Sequence, residues 1–258
     1  MKKLIYLSLL SFVFACDSNK SGGDVIETFN ANGTIKSSTP VKNGMRNGTE
    51  KNYDDQGRLI SSIEYKDNRR HGIYEEYLPE TQKRILRVEF KNDTQQGTFK
   101  QYYREGKLYR ESFYENGRLE GPYTTYWPDS TKREVVYFEK GKRLIKSEDY
   151  DKKGNLTKKF PEIVIKRINQ LRFANKYVLE FSLSEKKNET VFYTAKPDEK
   201  YLPTKLSDIA LVEGKPVRVF FMIPGQVVNE DFMVVAKYKS ESNNFIYLTK
   251  MVKVNVAH

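Results

Sequence analysis

A short phrase recurs along the middle of this chain at a nearly constant interval. Gly72-Ile-Tyr-Glu-Glu-Tyr77 is repeated as Gly97-Thr-Phe-Lys-Gln-Tyr102 and as Gly121-Pro-Tyr-Thr-Thr-Tyr126. Gly48-Thr-Glu-Lys-Asn-Tyr53 is the same phrase with a polar third residue, and Ile145-Lys-Ser-Glu-Asp-Tyr150 is a copy without its glycine. The starts lie 24, 25, 24 and 24 residues apart. Self-similarity at a fixed period of this size means a stack of small supersecondary units, none of which buries its apolar face alone.

Each unit reads as a β-hairpin. First strands are expected over 48–53, 72–77, 97–102, 121–126 and 145–150, each followed by a glycine turn such as Asp54-Asp-Gln-Gly57 or Arg104-Glu-Gly106. Second strands carry paired positions two apart, Ile63/Tyr65, Val88/Phe90, Ser112/Tyr114 and Val136/Phe138, which share a strand face. Turns rich in Asn, Asp and Gly then close each unit: Lys66-Asp-Asn68, Lys91-Asn-Asp93, Glu115-Asn-Gly117 and Glu139-Lys-Gly141. Val41, with Phe29 and Asn32-Gly33, places a degenerate unit upstream from about Val25. One hairpin is marginal in water, so stacking must supply the stability. Tyr53, Tyr65, Tyr77, Phe90, Tyr102, Tyr114, Tyr126, Phe138 and Tyr150 are expected to form one continuous ladder. Full burial of such a ring contributes roughly 1.5–3 kcal/mol.

The glycine–tyrosine phrase with its Asn-Gly turns resembles the MORN-repeat variant family (membrane occupation and recognition nexus), whose bacterial members are often labelled YwqK-family antitoxins. The resemblance covers about residues 25–159. It implies an elongated, gently twisted sheet of hairpins. The antitoxin role conflicts with the N-terminus, because an exported lipoprotein does not meet a cytoplasmic toxin.

That N-terminus has Lys2 and Lys3, an apolar run from Leu4 to Phe14, and then Val13-Phe14-Ala15-Cys16. The run is too short for a permanent span. Its end resembles the lipobox of bacterial lipoproteins, although Phe14 is bulkier than usual there. Cys16 is the sole cysteine, so an internal disulfide has no partner and lipidation accounts for the thiol. Residues 1–15 are therefore expected as a signal peptide and 16–24 as a lipidated tether. The repeat domain then occupies 25–159 and a C-terminal domain 160–258. The location expected is the cell envelope, at the outer membrane rather than the inner.

The period stops after Lys159. Beyond Phe160-Pro161, strand-like runs are expected over 163–168, 176–183, 190–194, 217–222, 231–239 and 244–256. Six short strands suggest a small β-sandwich, immunoglobulin-like in the bolder reading. The fold class expected is thus all-β, an elongated antiparallel meander of repeated hairpins followed by a sandwich. The 13% aromatic content, with 18 Tyr and 15 Phe, agrees.

Little in the chain points to catalysis. The two histidines, His71 and His258, are isolated. They form neither a zinc set nor a triad, so neither a metal nor a cofactor is expected. Glu75 and Glu76 alternate across a strand, and the Asp pairs at 54–55 and 149/151 lack the alternation of a calcium loop. The net charge of +11 is spread thinly and interleaved with acids, unlike a nucleic-acid footprint.

The function expected is a non-catalytic envelope lipoprotein acting as an interaction or scaffold module. Its expected partners are the membrane, through Cys16, and another envelope protein. The alternative is a glycan-binding or glycan-processing accessory protein. Tyr74, Phe99, Tyr123 and Trp127 are its candidate sugar-stacking surface, the first three lying opposite in parity to the ladder tyrosines of their own strands. Arg46, Arg69, Arg70, Lys142 and Arg143 precede successive repeats and form a candidate rim for anionic headgroups.

Overall fold

The computed structural model describes residues 24–258, so the expected signal peptide, Cys16 and all of the expected tether but Asp24 lie outside the described residues. The chain opens with β1 (Asp24–Phe29), β2 (Ile35–Lys42), a two-residue β3 (Met45–Arg46), β4 (Gly48–Tyr53), β5 (Leu59–Lys66) and β6 (Arg69–Tyr77). It continues through β7 (Arg84–Lys91), β8 (Thr94–Tyr102), β9 (Leu108–Glu115), β10 (Arg118–Tyr126), β11 (Lys132–Glu139) and β12 (Lys142–Asp149). All twelve join one antiparallel sheet in chain order, with β3 set beside β2. Strands sit ~4.8 Å apart, so the eleven on the main path span about 50 Å.

Local chemistry explains the connections. Asp67/Asn68, Asn92/Asp93, Asn116/Gly117 and Lys140/Gly141 all have positive φ, between 49° and 81°. That is the two-residue I′ hairpin turn, whose twist matches the strands it joins. Each of these turns also stacks on the previous repeat. Asn68, Asp93, Gly117 and Gly141 donate their backbone N–H to the carbonyls of Arg46, Arg70, Gln95 and Leu119, at 2.8–3.0 Å. The repeat period is therefore fixed at the turns as well as in the ladder.

Two expectations change here. The repeat glycine begins its strand in β4, at Gly48, but β6, β8 and β10 start three residues before theirs. Gly72 (φ 110°) and Gly97 (φ 94°) sit inside their strands where the register shifts against β5 and β7. A Cβ at either position would collide with the carboxylate of Glu64 or of Glu89. Glu89 uses that space to accept the Thr98 N–H at 3.1 Å.

The aromatic ladder divides into two. Ile63 lies opposite Tyr74, Tyr74 opposite Val88, Val88 opposite Phe99, and Phe99 opposite Ser112. Cross-strand partners share a face, so Tyr65, Phe90, Tyr114 and Phe138, two residues from those partners, belong to the same face as Tyr74 and Phe99. On the other face run Glu75, Arg87, Lys100 and Glu111, again as successive partners. The first-strand tyrosines join this charged face. Tyr77 donates to Glu75, and Tyr137 and Tyr150 donate to Glu148 at 2.6 and 2.7 Å. Arg84 and Lys100 pair with Glu75 and Glu111 at 2.9 and 3.0 Å. One face is aromatic and the other is salt-bridged.

The C-terminal part contains β13 (Ile163–Gln170), the short helix α1 (Leu171–Ala174), β14 (Lys176–Leu183), β15 (Val191–Ala195), β16 (Ser207–Asp208), β17 (Leu211–Val212), β18 (Lys215–Phe221), β19 (Val227–Lys239) and β20 (Phe245–Ala257). Two four-stranded sheets form, in the orders β13-β14-β18-β17 and β16-β15-β19-β20. Lettered A to G with a C′, these are A-B-E-D and C′-C-F-G, the immunoglobulin-like arrangement. Leu179, Phe181, Phe192, Met222, Val234 and Val252, drawn from both sheets or their ends, meet in one buried cluster. Alternation of the Val-, Ile- and Phe-rich runs puts these side chains inward.

The sandwich meets the repeat sheet at its last hairpin. Asp149 is buried and accepts from Asn244 Nδ2 at 2.7 Å, Ser240 Oγ at 3.2 Å and Thr157 Oγ1 at 3.3 Å. The outer edge of β12 is closed by residues 200–202. Ile145 donates to the Lys200 carbonyl at 3.1 Å, and Leu202 to the Arg143 carbonyl at 2.9 Å. This covers an edge that would otherwise be open to pairing.

Candidate interaction face

Tyr74, Phe99 and Tyr123 stand on β6, β8 and β10, alternate strands of the aromatic face. Two strand separations place neighbouring rings about 10 Å apart. Between them lie the buried side chains of Val88 and Ser112, with Ile63 and Val136 flanking the row, and the rings themselves are half-buried. The second-strand aromatics form a parallel row, with Tyr65, Phe90, Tyr114 and Phe138 opposite Gly48, Gly72, Gly97 and Gly121. A large ring facing a glycine covers backbone that would otherwise be bare. The rows touch: Phe99 and Tyr114 have centroids 6.1 Å apart, and Tyr123 and Phe138 5.9 Å apart, both tilted.

Arg110 threads between the rings. Its guanidinium lies 4.5 Å from the Phe99 centroid and 5.3 Å from that of Tyr123, and it donates to the Tyr123 hydroxyl at 2.8 Å. A planar cation between two ring faces is a favourable arrangement. Sequence reasoning missed this residue. The equivalent positions hold Ser61, Leu86 and Glu134, so this position differs in every unit and the period carries no signal there. Around it, Arg110 Nε, Ser112 Oγ, Thr125 Oγ1 and Gln95 Nε2 are buried without a hydrogen-bond partner among the described residues. Burial, and then the neighbouring Glu76 carboxylate, pushes the Tyr74 phenol well above its ordinary value. Burial likewise raises Tyr114.

The other candidates are placed differently. Trp127 stands outside this row. It forms the turn after β10, donating its backbone N–H to the Thr131 carbonyl at 2.8 Å and accepting from the Ser130 N–H, so Trp127-Pro128 is built into the turn. Arg133 lies 4.7 Å from the Trp127 ring centroid. The rim cations are mostly engaged with the fold. Arg46 lies 3.9 Å over Tyr65 and Arg70 4.4 Å over Phe90, with Arg70 also paired to Asp93 at 3.2 Å. Arg143 lies 4.9 Å over Tyr247, and Lys142 5.1 Å over Tyr201. Arg69 is exposed. These cations brace successive repeats and the sandwich more than they line a shared rim.

At Phe138 the aromatic face runs into a cleft of about 960 Å³ between the last hairpin and the sandwich. Lys142, Arg143, Lys196, Lys205 and Arg218 line it together with Asp198, Glu230 and Asp231. Arg218 and Glu230 pair across it at 2.7 Å. Hydrogen bonds, ion pairs and ring contacts between sheet and sandwich fall on residues 133–150, such as Arg133 to Asn243 and Lys200 to Glu139. Among the described residues, none of these contacts falls on the aromatic face over β4–β10. Among the described residues no group of three or more His, Cys, Asp or Glu is placed to hold a metal. His71 meets the Asn92 side chain at 3.2 Å in a turn, and His258 meets Asn175 at 2.8 Å.

No curated protein matches the chain. Residues 46–67 and 95–116 match the MORN repeat variant family, and the two matches begin at equivalent points of the period and each carry one hairpin of the long sheet.

Proposed function

We propose that this protein is a non-catalytic binding module of the cell envelope, tethered through lipid on Cys16, which holds a partner on the aromatic face of its repeat sheet. The observation that carries this reading is the uncovered row Tyr74–Phe99–Tyr123 with Arg110 stacked within it. A stripe of rings on one face of a single-layered sheet, with unpaired polar atoms among them, has the composition of an interface centre. The opposite face, with its cross-strand ion pairs, keeps the sheet soluble without competing for the same partner. Repeat sheets offer such extended faces because each unit adds the same stripe. The test is photo-crosslinking from position 99 in the native envelope. Recovery of one defined envelope protein, lost on Arg110→Ala with the fold intact, is the expected result. Unselective labelling that is unchanged by Arg110→Ala would sink the reading.

A second reading is favoured by the ring spacing. Rings about 10 Å apart match alternate sugars of an extended glycan better than they match a side-chain pocket. Titration with soluble envelope polysaccharide, read by tyrosine fluorescence, separates the two. Saturable quenching abolished by Phe99→Ala supports the glycan, and no quenching excludes it.

A further inference from the structure

Three segments distant in sequence meet at the end of the sandwich opposite the 240–244 turn. They are the β13–β14 connection, the β18–β19 connection and the end of β20. The Met222 N–H donates to the Asn175 carbonyl at 2.8 Å. The His258 ring meets the Asn175 side chain at 2.8 Å, Gly225 donates to the His258 carbonyl at 2.9 Å, and His258 donates to the Gln226 carbonyl at 2.9 Å. Strand register agrees, with Lys176 opposite Phe221 and Val227 opposite Ala257. One joint with the repeat sheet, at residues 240–244, is at the other end of β19, whose 13 residues extend about 40 Å; the second, beside residues 200–202, borders the cleft lined by Arg218 and Glu230, inward of the pole.

This pinned pole is apolar and outward-facing. Phe173 is 94% exposed, Phe221 75%, Ile223 70% and Val227 60%. Single exposed apolar residues are ordinary; four large ones gathered on one braced pole are not. The side-chain charge around them has one sign. Arg172 and Lys176 flank the pole, and residues 168–178, 219–229 and 254–258 contain no side-chain carboxylate. Neither cation is ion-paired among the described residues, where the sandwich pairs are Glu185–Lys187, Glu180–Lys215, Glu230–Arg218 and Glu189–Lys239. Moving inward, the first acids are Glu180, opposite Val217, and Glu230, opposite Val254. Both lie about 10 Å or more below the pole.

We infer that this pole is a membrane-contact site that inserts Phe173, Phe221 and Ile223 into the interface of an anionic bilayer, with Arg172 and Lys176 at the headgroups. The hydrogen bonds through Asn175 and His258 hold the loops in place before contact, so little order has to be gained on binding. Apolar side chains at the acyl boundary with a basic collar are what an anionic interface selects. A protein partner of the same size would more often be met by a polar rim carrying both charge signs. The site is remote from the aromatic repeat face and does not depend on it.

The test uses the full chain with Cys16→Ala, which leaves no other cysteine. Phe173→Cys then carries a single environment-sensitive dye, and Lys186→Cys, at the opposite end of β14, carries it as the control. With phosphatidylcholine vesicles containing phosphatidylglycerol, the dye at 173 should shift to the blue. The shift should shrink in pure phosphatidylcholine or in high salt, and be absent at 186. Phe221→Ser with Ile223→Ser, both at exposed positions, should weaken the vesicle response at 173 by roughly tenfold or more with an unchanged circular dichroism spectrum. Phe99→Ala should leave it unchanged. No shift at 173, or an equal shift at 186, overturns the proposal.

Discussion

Gly97→Ala tests whether the repeat period depends on an inverted residue inside each first strand. Gly97 has φ of 94°, and a methyl group there meets the Glu89 carboxylate that accepts the Thr98 N–H at 3.1 Å. Holding an L-residue at positive φ costs about 1–2 kcal/mol. Displacing a charge-assisted hydrogen bond at a half-exposed site adds about 1–2 kcal/mol. The total expected loss is about 2–4 kcal/mol. Gly121 is the built-in control. It occupies the equivalent position with φ of 72°, but nothing lies within 4 Å of its added Cβ. Gly121→Ala should therefore cost only the backbone share, about 1–2 kcal/mol. The measurement is urea unfolding followed by far-ultraviolet circular dichroism, reading the transition of the repeat sheet if it separates from that of the sandwich. A double-mutant cycle isolates the collision: in a Glu89→Ala background, Gly97→Ala should fall to the cost of Gly121→Ala, a coupling of about 1–2 kcal/mol. Equal losses at 97 and 121, or a coupling of zero, would refute the reasoning.

Other expectations follow from burial and charge. Val88→Ala empties a side-chain site that is only 5% exposed on the aromatic face. It should lower stability by about 1–3 kcal/mol in the same urea assay, and a loss within noise would show that this face relaxes freely. Asp149→Ala removes the acceptor shared by Asn244, Ser240 and Thr157. It should destabilise the joint by about 1–3 kcal/mol and split unfolding into two transitions, whereas one unchanged transition would count against a coupled joint. Burial raises the Glu134 carboxyl despite the neighbouring Arg143. A raised folded value means its stabilising share is full below the ordinary glutamate range and is lost as pH climbs through the folded value. Glu134→Gln should remove that decline and gain stability at neutral pH, to be read from melting temperatures across pH. The turn carboxylates have the opposite sign. Asp93 is held low by the Arg70 backbone N–H, and Asp151 by the Asn155 side chain. Their contribution is present above the ordinary aspartate range and lost as pH falls through the folded values, which Asp93→Asn should blunt at the acid end.

What could be read from residues alone was whatever local chemistry decides. Asn116-Gly117 forces an I′ turn wherever it occurs, so the hairpins and their order were legible, as was the degenerate one at β1 and β2. Runs such as Val217–Phe221 alternate strongly enough to declare strands, whereas β16 and β17, two residues each, carry no pattern. The single nine-membered ladder failed for a definite reason. Parity holds within one strand and correctly set Tyr74 against Tyr77. Across strands the face depends on register: Phe99 pairs with Ser112, so Tyr114 shares its face while Tyr102, three residues from Phe99, takes the other. A change of one residue in register exchanges faces, so no count along the chain alone assigns Tyr102 and Tyr114 to a common side.

The same distinction separates the two parts of the candidate surface. Tyr74, Phe99 and Tyr123 recur at the period, and a periodic signal survives ignorance of register because every copy is displaced alike. Arg110 was hidden because it occurs once, and a lone arginine in a repeat reads as variation until two rings are found on either side of it. Function in a repeat protein concentrates at such departures. The period supplies an identical platform in each unit, and only residues that break it distinguish one stretch of the platform from the next. Ser112 stands where the other units hold Ile63, Val88 and Val136, and its hydroxyl falls in the same unit as Arg110 Nε, both without a partner among the described residues. The repeat therefore argues for a long face, and its exception argues for where on that face a partner is held. On this reasoning Arg110→Ala should cost more binding than Tyr74→Ala, although Tyr74 presents the larger apolar surface. The comparison is made in the crosslinking assay from position 99, and the reverse ranking would return the weight to the rings.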